Sequence, residues 1–376
     1  MPDTPSAHAA AIRGWCPTAW RPMMAGDGLL VRVRPPLGRL TAAQAIDMAK
    51  AALRHGNGLL DLTNRSGLQI RGVTKQSHRP LLRHLIALGL TDPDPTREAR
   101  RNFLLAPDWS PGDDTDSIAR ALLSRLDDLP RLPPKIGVAI DAGPAPALGL
   151  VPADFRFERS EGGTLLLRAE GRPHGMPTSV QTAAQDLIVL VRWFLETGGI
   201  ASGRMARHQA PLPPGPAAEP APSRPLERLL AQAPGPFHGI PFGQIDADSL
   251  AALAGQPGVI ALRLTPWRGL IAEGGTTSPG HAATDPLLRV DACPGAPACP
   301  QASVATRALA ARLAPHVKGP LHISGCAKGC ARPRPAQIVL TGRQGRFDLA
   351  RQARAGSPPE KRDLAPDQIL ALFGSP

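Results

Sequence analysis

Four of the five cysteines form two short pairs, and these pairs are the residues with the clearest chemistry in the sequence. Cys293 and Cys299 are separated by five residues, and Cys326 and Cys330 by three. Two such pairs on separate loops can place four thiolates around a compact inorganic core, and four Cys thiolates are the usual ligands of a [4Fe–4S] cluster. Neighbouring glycines and prolines allow bare backbone to approach that core closely. The spacing therefore indicates an iron–sulfur site.

Three other roles for these thiols stay open on the residues alone. Structural zinc prefers about two to four residues between the ligands of a pair, so the five-residue gap disfavours it. Disulfides need an oxidising compartment, and residues 1–12 lack the charged and apolar regions of a secretory signal peptide. Unligated cysteines also pack as small hydrophobic groups, which is the role that we assign to the isolated Cys16.

The composition indicates a soluble, cytoplasmic protein that binds a polyanionic small molecule. The 376 residues suffice for two or three domains, and no apolar run is long enough to span a membrane. The net charge of +12 comes from arginines spread along the chain without a basic run, which disfavours nucleic-acid binding. Arginine suits bidentate recognition of carboxylates and phosphates.

The elements that would position this chemistry begin with a β-α-β-β-α unit of ferredoxin-like type. Alternating residues predict a strand over 28–34, and a capping box followed by helical spacing predicts a helix over 41–55. A strand pair follows at 58–65 and 68–73, with Gln69 and Arg71 on one face, and then a helix at about 78–89. The same order of elements recurs after residue 237, which predicts a tandem duplication in which only the second copy carries the cysteine pairs.

The remaining predicted elements are a continuous helix over 182–208, a helix near 303–314 that separates the two cysteine pairs, and a final helix at 366–373. The predicted organisation is a first ferredoxin-like repeat at 13–90, a clusterless α+β domain at 91–208, an extended, semi-rigid Pro/Ala linker at 209–236, a second repeat at 237–283, and an α+β domain with the cysteines at 284–376.

The duplication, the Cys-x5-Cys…Cys-x3-Cys set and the Leu-Thr-Asn-Arg65-x-x-x-Gln69 motif together resemble the sulfite/nitrite reductase superfamily over about 13–373. Within this superfamily, the sequence around the cysteines is most similar to that of the precorrin-3B synthase family of aerobic cobalamin synthesis. The resemblance implies an α+β, pseudo-symmetric fold. In it two ferredoxin-like repeats form one domain, and two α+β domains lie around a central cofactor cleft.

The same resemblance implies the site residues. A [4Fe–4S] cluster would be held by all four paired cysteines, Cys293, Cys299, Cys326 and Cys330. Arg34, Arg65 and Gln69 match positions that bind the tetrapyrrole or its anions, and Arg101 and Lys135 match catalytic, anion-facing positions. Two departures weaken a reductase assignment: Gly137 replaces the second lysine of a Lys-x-Lys motif, and Ala-Lys-Gly lies between the last two cysteines where the reductases usually have Pro-Asn-Gly.

The implied activity is a monooxygenase reaction: oxygen-dependent hydroxylation of precorrin-3A, an octacarboxylate tetrapyrrole, at C20, followed by γ-lactone formation. NADH-derived electrons would arrive through a reductase or ferredoxin partner, since the chain lacks a dinucleotide-binding Gly-x-Gly-x-x-Gly after a strand. The alternatives are a sulfite or nitrite reductase that uses sirohaem and a [4Fe–4S] cluster, and a metal-stabilised binding module. A mononuclear iron beside the substrate is a further option, with unranked candidate ligands His55, His174, His208 and His238.

Overall fold

The computed structural model describes residues 16–277 and 280–374. Residues 1–12, in which a signal peptide would lie, are outside the described residues. So are residues 13–15 of the first predicted repeat, 278–279 of the second and 375–376 of the last predicted domain. No helix in the described ranges is long and apolar enough to cross a membrane. The predicted domain boundaries stay predictions.

The first half of the described chain carries ten strands and six helices. The strands are β1 (Met23–Ala25), β2 (Gly28–Val33), β3 (Arg39–Thr41), β4 (Leu59–Leu62), β5 (Leu68–Val73), β6 (Phe103–Leu105), β7 (Val138–Ile140), β8 (Phe155–Arg159), β9 (Leu165–Ala169) and β10 (Met176–Pro177). The helices are α1 (Ala42–His55), α2 (Lys75–Ala87), α3 (Pro95–Arg100), α4 (Asp114–Ser124), α5 (Ala183–Glu196) and α6 (Gly199–Ser202).

The second half repeats much of this order. Its strands are β11 (Phe237–Gly239), β12 (Gln244–Asp246), β13 (Ala261–Leu264), β14 (Gly269–Glu273), β15 (Val290–Ala292), β16 (Leu321–Ser324), β17 (Ala336–Arg343), β18 (Arg346–Ala353) and β19 (Lys361–Leu364). Its helices are α7 (Leu226–Ala231), α8 (Ala247–Ala254), α9 (Arg307–Leu313) and α10 (Pro366–Leu372).

The two ferredoxin-like repeats complete each other's sheets. The first sheet has the order β1-β2-β5-β4-β12, and the sheet of the second repeat has the order β11-β14-β13-β3. Strand β12 therefore pairs with β4 of the other repeat, and β3 pairs with β13, both antiparallel. One buried hydrophobic core contains residues of both repeats, among them Met48 of α1 and Leu250 of α8. The two repeats thus form one domain, which confirms the predicted duplicated α+β fold.

The same turn precedes the exchanged strand in each copy. A Pro-Leu-Gly turn (Pro36–Gly38) leads into β3 and a Pro-Phe-Gly turn (Pro241–Gly243) into β12; their central residues, Leu37 and Phe242, both have positive φ angles, of 58° and 57°. The side chain that caps the following helix, Thr41 or Asp246, accepts a hydrogen bond from the third helical amide in both copies. The recurrence of a strained backbone conformation at matched positions supports duplication more strongly than composition does.

The remaining two sheets also share one topology. In the order β10-β9-β8-β7-β6, strands β6, β7 and β8 are parallel and β9 is antiparallel to β8. In the order β15-β16-β17-β18-β19, strands β15, β16 and β17 are parallel and β18 is antiparallel to β17. Each copy therefore continues from its ferredoxin-like repeat into a second sheet, and these two sheets have equivalent topology.

The structure corrects three predicted elements. The helix predicted over 182–208 ends at Glu196, because Gly198 has a φ of 96° and a Cβ at Gly199 would lie 2.4 Å from the carbonyl oxygen of Phe194. The predicted linker is not extended throughout, since it contains α7. Helix α2 has no counterpart in the second repeat: among the described residues between β14 and β15, the helical structure is a short 3-10 turn at Pro286–Arg289.

Asp141 holds the loop that follows β7 in the copy without cysteine pairs. Its Oδ2 accepts hydrogen bonds from the amides of Ala147 and Leu148 at 2.6 and 2.7 Å, while the buried Oδ1 has no partner. Burial raises the pKa of this carboxyl to about 6, against the opposing effect of the two amides. The equivalent strand of the other copy, β16, leads into the second cysteine pair instead.

We expect Asp141→Asn to flatten the pH dependence of stability between about pH 4 and 6. Because the folded pKa is raised above the unfolded value, the folded state binds the proton more tightly, and stability decreases as pH rises through this window. A rise in the pKa of Asp141 from its ordinary 3.8 to about 6 corresponds to about 3 kcal/mol. Denaturant titrations of the wild type and the variant at several pH values measure the free energy of unfolding and its dependence on pH.

Asp363→Asn is the matched control, because its side chain is 79% exposed. An unchanged slope in the Asp141 variant, or the same change in the control, would contradict the assignment.

Candidate functional site

The two cysteine pairs lie at the same edge of one sheet. Cys293 directly follows β15, Cys326 follows β16, and these strands are parallel neighbours. The carboxyl ends of adjacent parallel strands meet at one edge, so the two loops lie side by side. The amide of Gly325 donates a hydrogen bond to Cys293 Sγ at 3.2 Å. The fold therefore brings together two cysteine pairs that are distant in sequence.

The four thiols are close enough to influence one another's charge. Burial raises the pKa of the Cys330 thiol, Lys328 lowers it, and each of the other three paired cysteines raises it further. Over the described ranges, no three His, Cys, Asp or Glu side chains are grouped so as to hold a metal ion. Four Cys thiolates are the usual ligands of a [4Fe–4S] cluster, so the chemistry of this donor set fits such a cluster.

Glycine allows the cysteine loops to approach their surroundings closely. A Cβ at Gly325 would lie 2.5 Å from that of Ala302, and Gly295 has a φ of 68°. The first loop also rests on the sheet of the first repeat: the amide of Gly26 donates to the carbonyl of Ala298 at 3.1 Å. A Cβ at Gly26 would lie 2.6 Å from the carbonyl oxygen of Pro297. The cysteines of the second copy are thus held at one end of the first sheet.

One face of that first sheet is polar. Register places Arg32 opposite Gln69 and Gln69 opposite Asp61, and Arg71 lies two residues after Gln69 on the same face. Arg32 donates to Gln69 Oε1 at 3.1 Å, and Arg71 forms ion pairs with Asp61 at 2.5 Å and Asp27 at 2.8 Å. We call Arg32, Asp61, Gln69 and Arg71 the polar face; the opposite face belongs to the hydrophobic core.

A group of predicted anion-binding arginines lies at the end of the polar face that is away from the four paired cysteines. Arg34, Arg65 and Arg101 line one small pocket of about 20 Å³. Arg101 forms an ion pair with the buried Glu98 at 3.1 Å and donates to the carbonyl of Arg34 at 2.6 Å. Arg65 donates to the carbonyl of Lys135 at 2.9 Å. The pocket has room for a water molecule and not for a macrocycle.

These arginines are incompletely neutralised. Burial lowers the pKa of Arg34 to about 10; Arg32 and Arg65 lower it further, against the opposing effects of Glu98 and Cys16. Burial also lowers the pKa of Arg65. The buried Nε of Arg32 has no hydrogen-bond partner. A cluster of desolvated cations with so few carboxylates favours an anionic ligand.

Cys16 is a residue whose surroundings the sequence did not reveal. It is half-buried, and it is among the groups that raise the pKa of Arg32, Arg34 and Arg65. The interpretation of Cys16 as a packed thiol is therefore incomplete, because it lies among the arginines. No spacing or periodicity connects it to them in the sequence.

The four candidate histidine ligands do not form one site. The two ring nitrogens of His208 are hydrogen-bonded to Thr197 Oγ1 at 2.7 Å and Ser202 Oγ at 3.1 Å, which explains its burial without a metal. His174 is 3.5 Å from Glu219 at the surface, His55 ends α1, and His238 lines a pocket of about 440 Å³ beside α8. That pocket includes none of the cysteines or predicted arginines.

The position in the second repeat that corresponds to the polar face is filled by the protein itself. Arg263 and Glu273 form a buried ion pair there at 3.0 Å. The Arg263 guanidinium lies 4.3 Å from the centre of the Trp109 ring and donates to the carbonyls of Pro107 and Trp109. The loop that follows β6 thus covers the second face.

Comparisons with known proteins agree with this fold. Residues 21–88 match the nitrite/sulfite reductase ferredoxin-like half domain family. A ferredoxin–nitrite reductase from Synechococcus elongatus is 30% identical over 141 residues, which are 34% of this chain and 27% of that protein. The structure of the Mycobacterium tuberculosis NirA protein superposes with a TM-score of 0.55 at 17% identity, covering 90% of this chain and 77% of that one. The likeness to NirA shows the fold.

A precorrin-3B synthase from Sinorhizobium is 32% identical over an alignment of 399 positions, gaps included, that covers 93% of this chain and 85% of that protein. Since this similarity extends over nearly the whole chain, it includes both ferredoxin-like repeats and the sheets that follow them. The chain therefore belongs to the precorrin-3B synthase family and has the sulfite/nitrite reductase-like fold.

Proposed function

We propose that this protein hydroxylates precorrin-3A at C20 with O2 and that the ring A acetate then closes a γ-lactone. The observation that carries the proposal is the arrangement of the polar face, with an arginine cluster at one end and four thiols at the other. Such a surface suits a ligand that carries many carboxylates and reacts beside a redox centre.

The arginine cluster accounts for substrate binding. Charge-assisted hydrogen bonds to carboxylates are worth about 1.5–3 kcal/mol each, and Arg65 is already fixed by the fold. Arg65 is held by its bond to the Lys135 carbonyl. We assign Arg34, Arg65 and Gln69 to the substrate carboxylates, so that several contacts orient the macrocycle.

The length of the polar face fits a macrocycle. The six residues of β2 span about 20 Å at roughly 3.3 Å per residue, from the Gly28 end near the cysteine loop to the end beside Arg34. We place the tetrapyrrole along this face, because the arginine pocket itself is too small for it. One edge of the ring would then contact the arginines, and the rest would lie towards the cysteines.

The four paired cysteines are assigned as ligands of a [4Fe–4S] cluster, which when bound supplies electrons for the reduction of O2. The overall reaction consumes O2, two electrons and two protons; one oxygen atom enters the product and the other leaves as water. A reductase or ferredoxin partner is the electron source. Arg101, fixed by Glu98, is assigned as a permanent positive charge beside the substrate, and the half-buried Lys135 as a proton donor.

Anaerobically purified protein should contain iron and acid-labile sulfide and convert precorrin-3A to a product heavier by one oxygen atom. The reaction mixture supplies O2 and an electron donor, and mass spectrometry detects the product. With ¹⁸O2, the label should appear in the product. A protein with an intact cluster that leaves precorrin-3A unchanged would contradict the proposal.

The similarity to a nitrite reductase defines the competing result. Sirohaem absorbance in the purified protein, together with reduction of sulfite or nitrite by reduced methyl viologen, would favour that activity instead. Zinc without iron in elemental analysis would indicate a metal-stabilised binding module.

We expect Arg65→Ala to weaken tetrapyrrole binding roughly 10- to 150-fold, the effect of losing one charge-assisted contact. Iron and sulfide content should stay at the wild-type level, because Arg65 lies at the far end of the polar face from the cysteines. Equilibrium binding of precorrin-3A under anaerobic conditions measures the change. Arg351→Ala, which removes a half-exposed arginine paired with Glu360, is the control; an equal loss in both variants, or loss of iron, would contradict the assigned role.

A further inference from the structure

We propose that His322 donates a hydrogen bond from its imidazole ring to the iron–sulfur cluster and thereby raises the reduction potential of the cluster. The inference rests on the proposed function, since it requires a cluster on the four paired cysteines. It assigns a positioning and tuning role to a residue that neither the spacing of the cysteines nor the family resemblance identified.

Strand periodicity places His322 on the same sheet face as Cys293. Its neighbours along β16, Leu321 and Ile323, belong to the hydrophobic core on the other face. In the parallel register His322 lies opposite Asp291 of β15, and Cys293 follows Asp291 by two residues, so the side chains of these three residues share one face. His322 is therefore one row behind the first cysteine ligand.

The loop of the second cysteine pair covers the imidazole ring. A Cβ at Gly329, which lies between Cys326 and Cys330, would be 3.5 Å from His322 Cε1. Gly329 has a φ of 63°, so the loop at this point takes a conformation that favours glycine and presents bare backbone to the ring. His322 thus lies beneath one cysteine loop and behind the other.

Both ring nitrogens of His322 lack a hydrogen-bond partner, although the residue is fully buried at 0% exposure. Buried polar groups are nearly always satisfied, and an unsatisfied group calls for a specific explanation such as an ion or water. His208 shows the alternative in the same protein, because both of its nitrogens bond to hydroxyl groups. The unpartnered nitrogens beneath the cysteine loops therefore point to a partner that the loops themselves hold.

The charges around His322 suit a nearby anionic cluster. Arg268 and Arg332 both form ion pairs with Asp291, which leaves an excess of one positive charge in this group. Burial and the two arginines lower the pKa of His322 to about 4. An imidazole ring carries at least one N–H in either protonation state. An N–H donor beside a sulfur atom stabilises the more negative, reduced form of the cluster, and hydrogen bonds to sulfur are among the features that set cluster potentials.

His322→Phe should lower the midpoint potential of the cluster while iron and sulfide content stay near the wild-type level. Phenylalanine keeps an aromatic ring in the space but removes the donor. His322→Asn retains an N–H donor and should recover part of the potential. Redox titrations of the intact protein, monitored by electron paramagnetic resonance, give the midpoint potentials.

Val339→Ala is the matched control. Val339 lies opposite His322 in the adjacent strand and is equally buried, but it has no donor to lose. Its variant should disturb packing on the same face and leave the potential unchanged. If His322 had a purely structural role, His322→Phe and Val339→Ala would have equivalent effects on the potential as well as on stability.

The outcomes separate this inference from the proposed function. A wild-type protein without iron and sulfide would refute the cluster itself. A wild-type protein with the cluster, and an unchanged potential in His322→Phe, would overturn the role of His322 and leave the cluster standing. If His322→Phe fails to assemble a cluster, His322→Leu and His322→Asn are compared: a lower potential in the leucine variant supports the inference, and equal potentials overturn it.

Discussion

The exchange of one strand between the two ferredoxin-like repeats is the constraint on which the rest of the structure depends. Neither repeat has a complete sheet without β3 or β12 of the other. Polar contacts reinforce both exchanges: Arg39 pairs with Glu273 at 2.7 Å, and Gln244 donates to Asp61 at 2.8 Å. Because the halves interlock in this way, the cysteine loop of the second copy rests on the sheet of the first.

The two copies also carry a buried ion pair at equivalent positions with the charges reversed. Asp61 and Arg71 occupy β4 and β5 of the first repeat, whereas Arg263 and Glu273 occupy β13 and β14 of the second. A buried ion pair is weak evidence for stability, since desolvation opposes the attraction. Its reversal makes the two faces chemically different. The first has a cluster of arginines at one end, and the second binds a loop of its own chain.

The parts of this protein that were predictable from sequence depend on local patterns. The spacing of the cysteines, the alternation that puts Gln69 and Arg71 on one face, and the recurring Pro-x-Gly turns are all visible along the chain. The helix predicted over 182–208 is too long, because the apolar pattern continues beyond Thr197 although Gly198 ends the helix.

Tertiary contacts could not be found in this way. The approach of Cys16 to Arg32, the anchoring of Arg101 by Glu98, and the burial of His322 beneath the cysteine loop join segments whose patterns are independent of one another. The register of the sheets supplies these contacts, and no spacing rule within a single segment encodes them.

Trp109 gives the duplication its asymmetry. By lying over Arg263, its indole ring covers the face of the second repeat that corresponds to the polar face of the first. On the proposed function, a duplicated scaffold with one of its two equivalent faces closed in this manner binds one macrocycle per polypeptide.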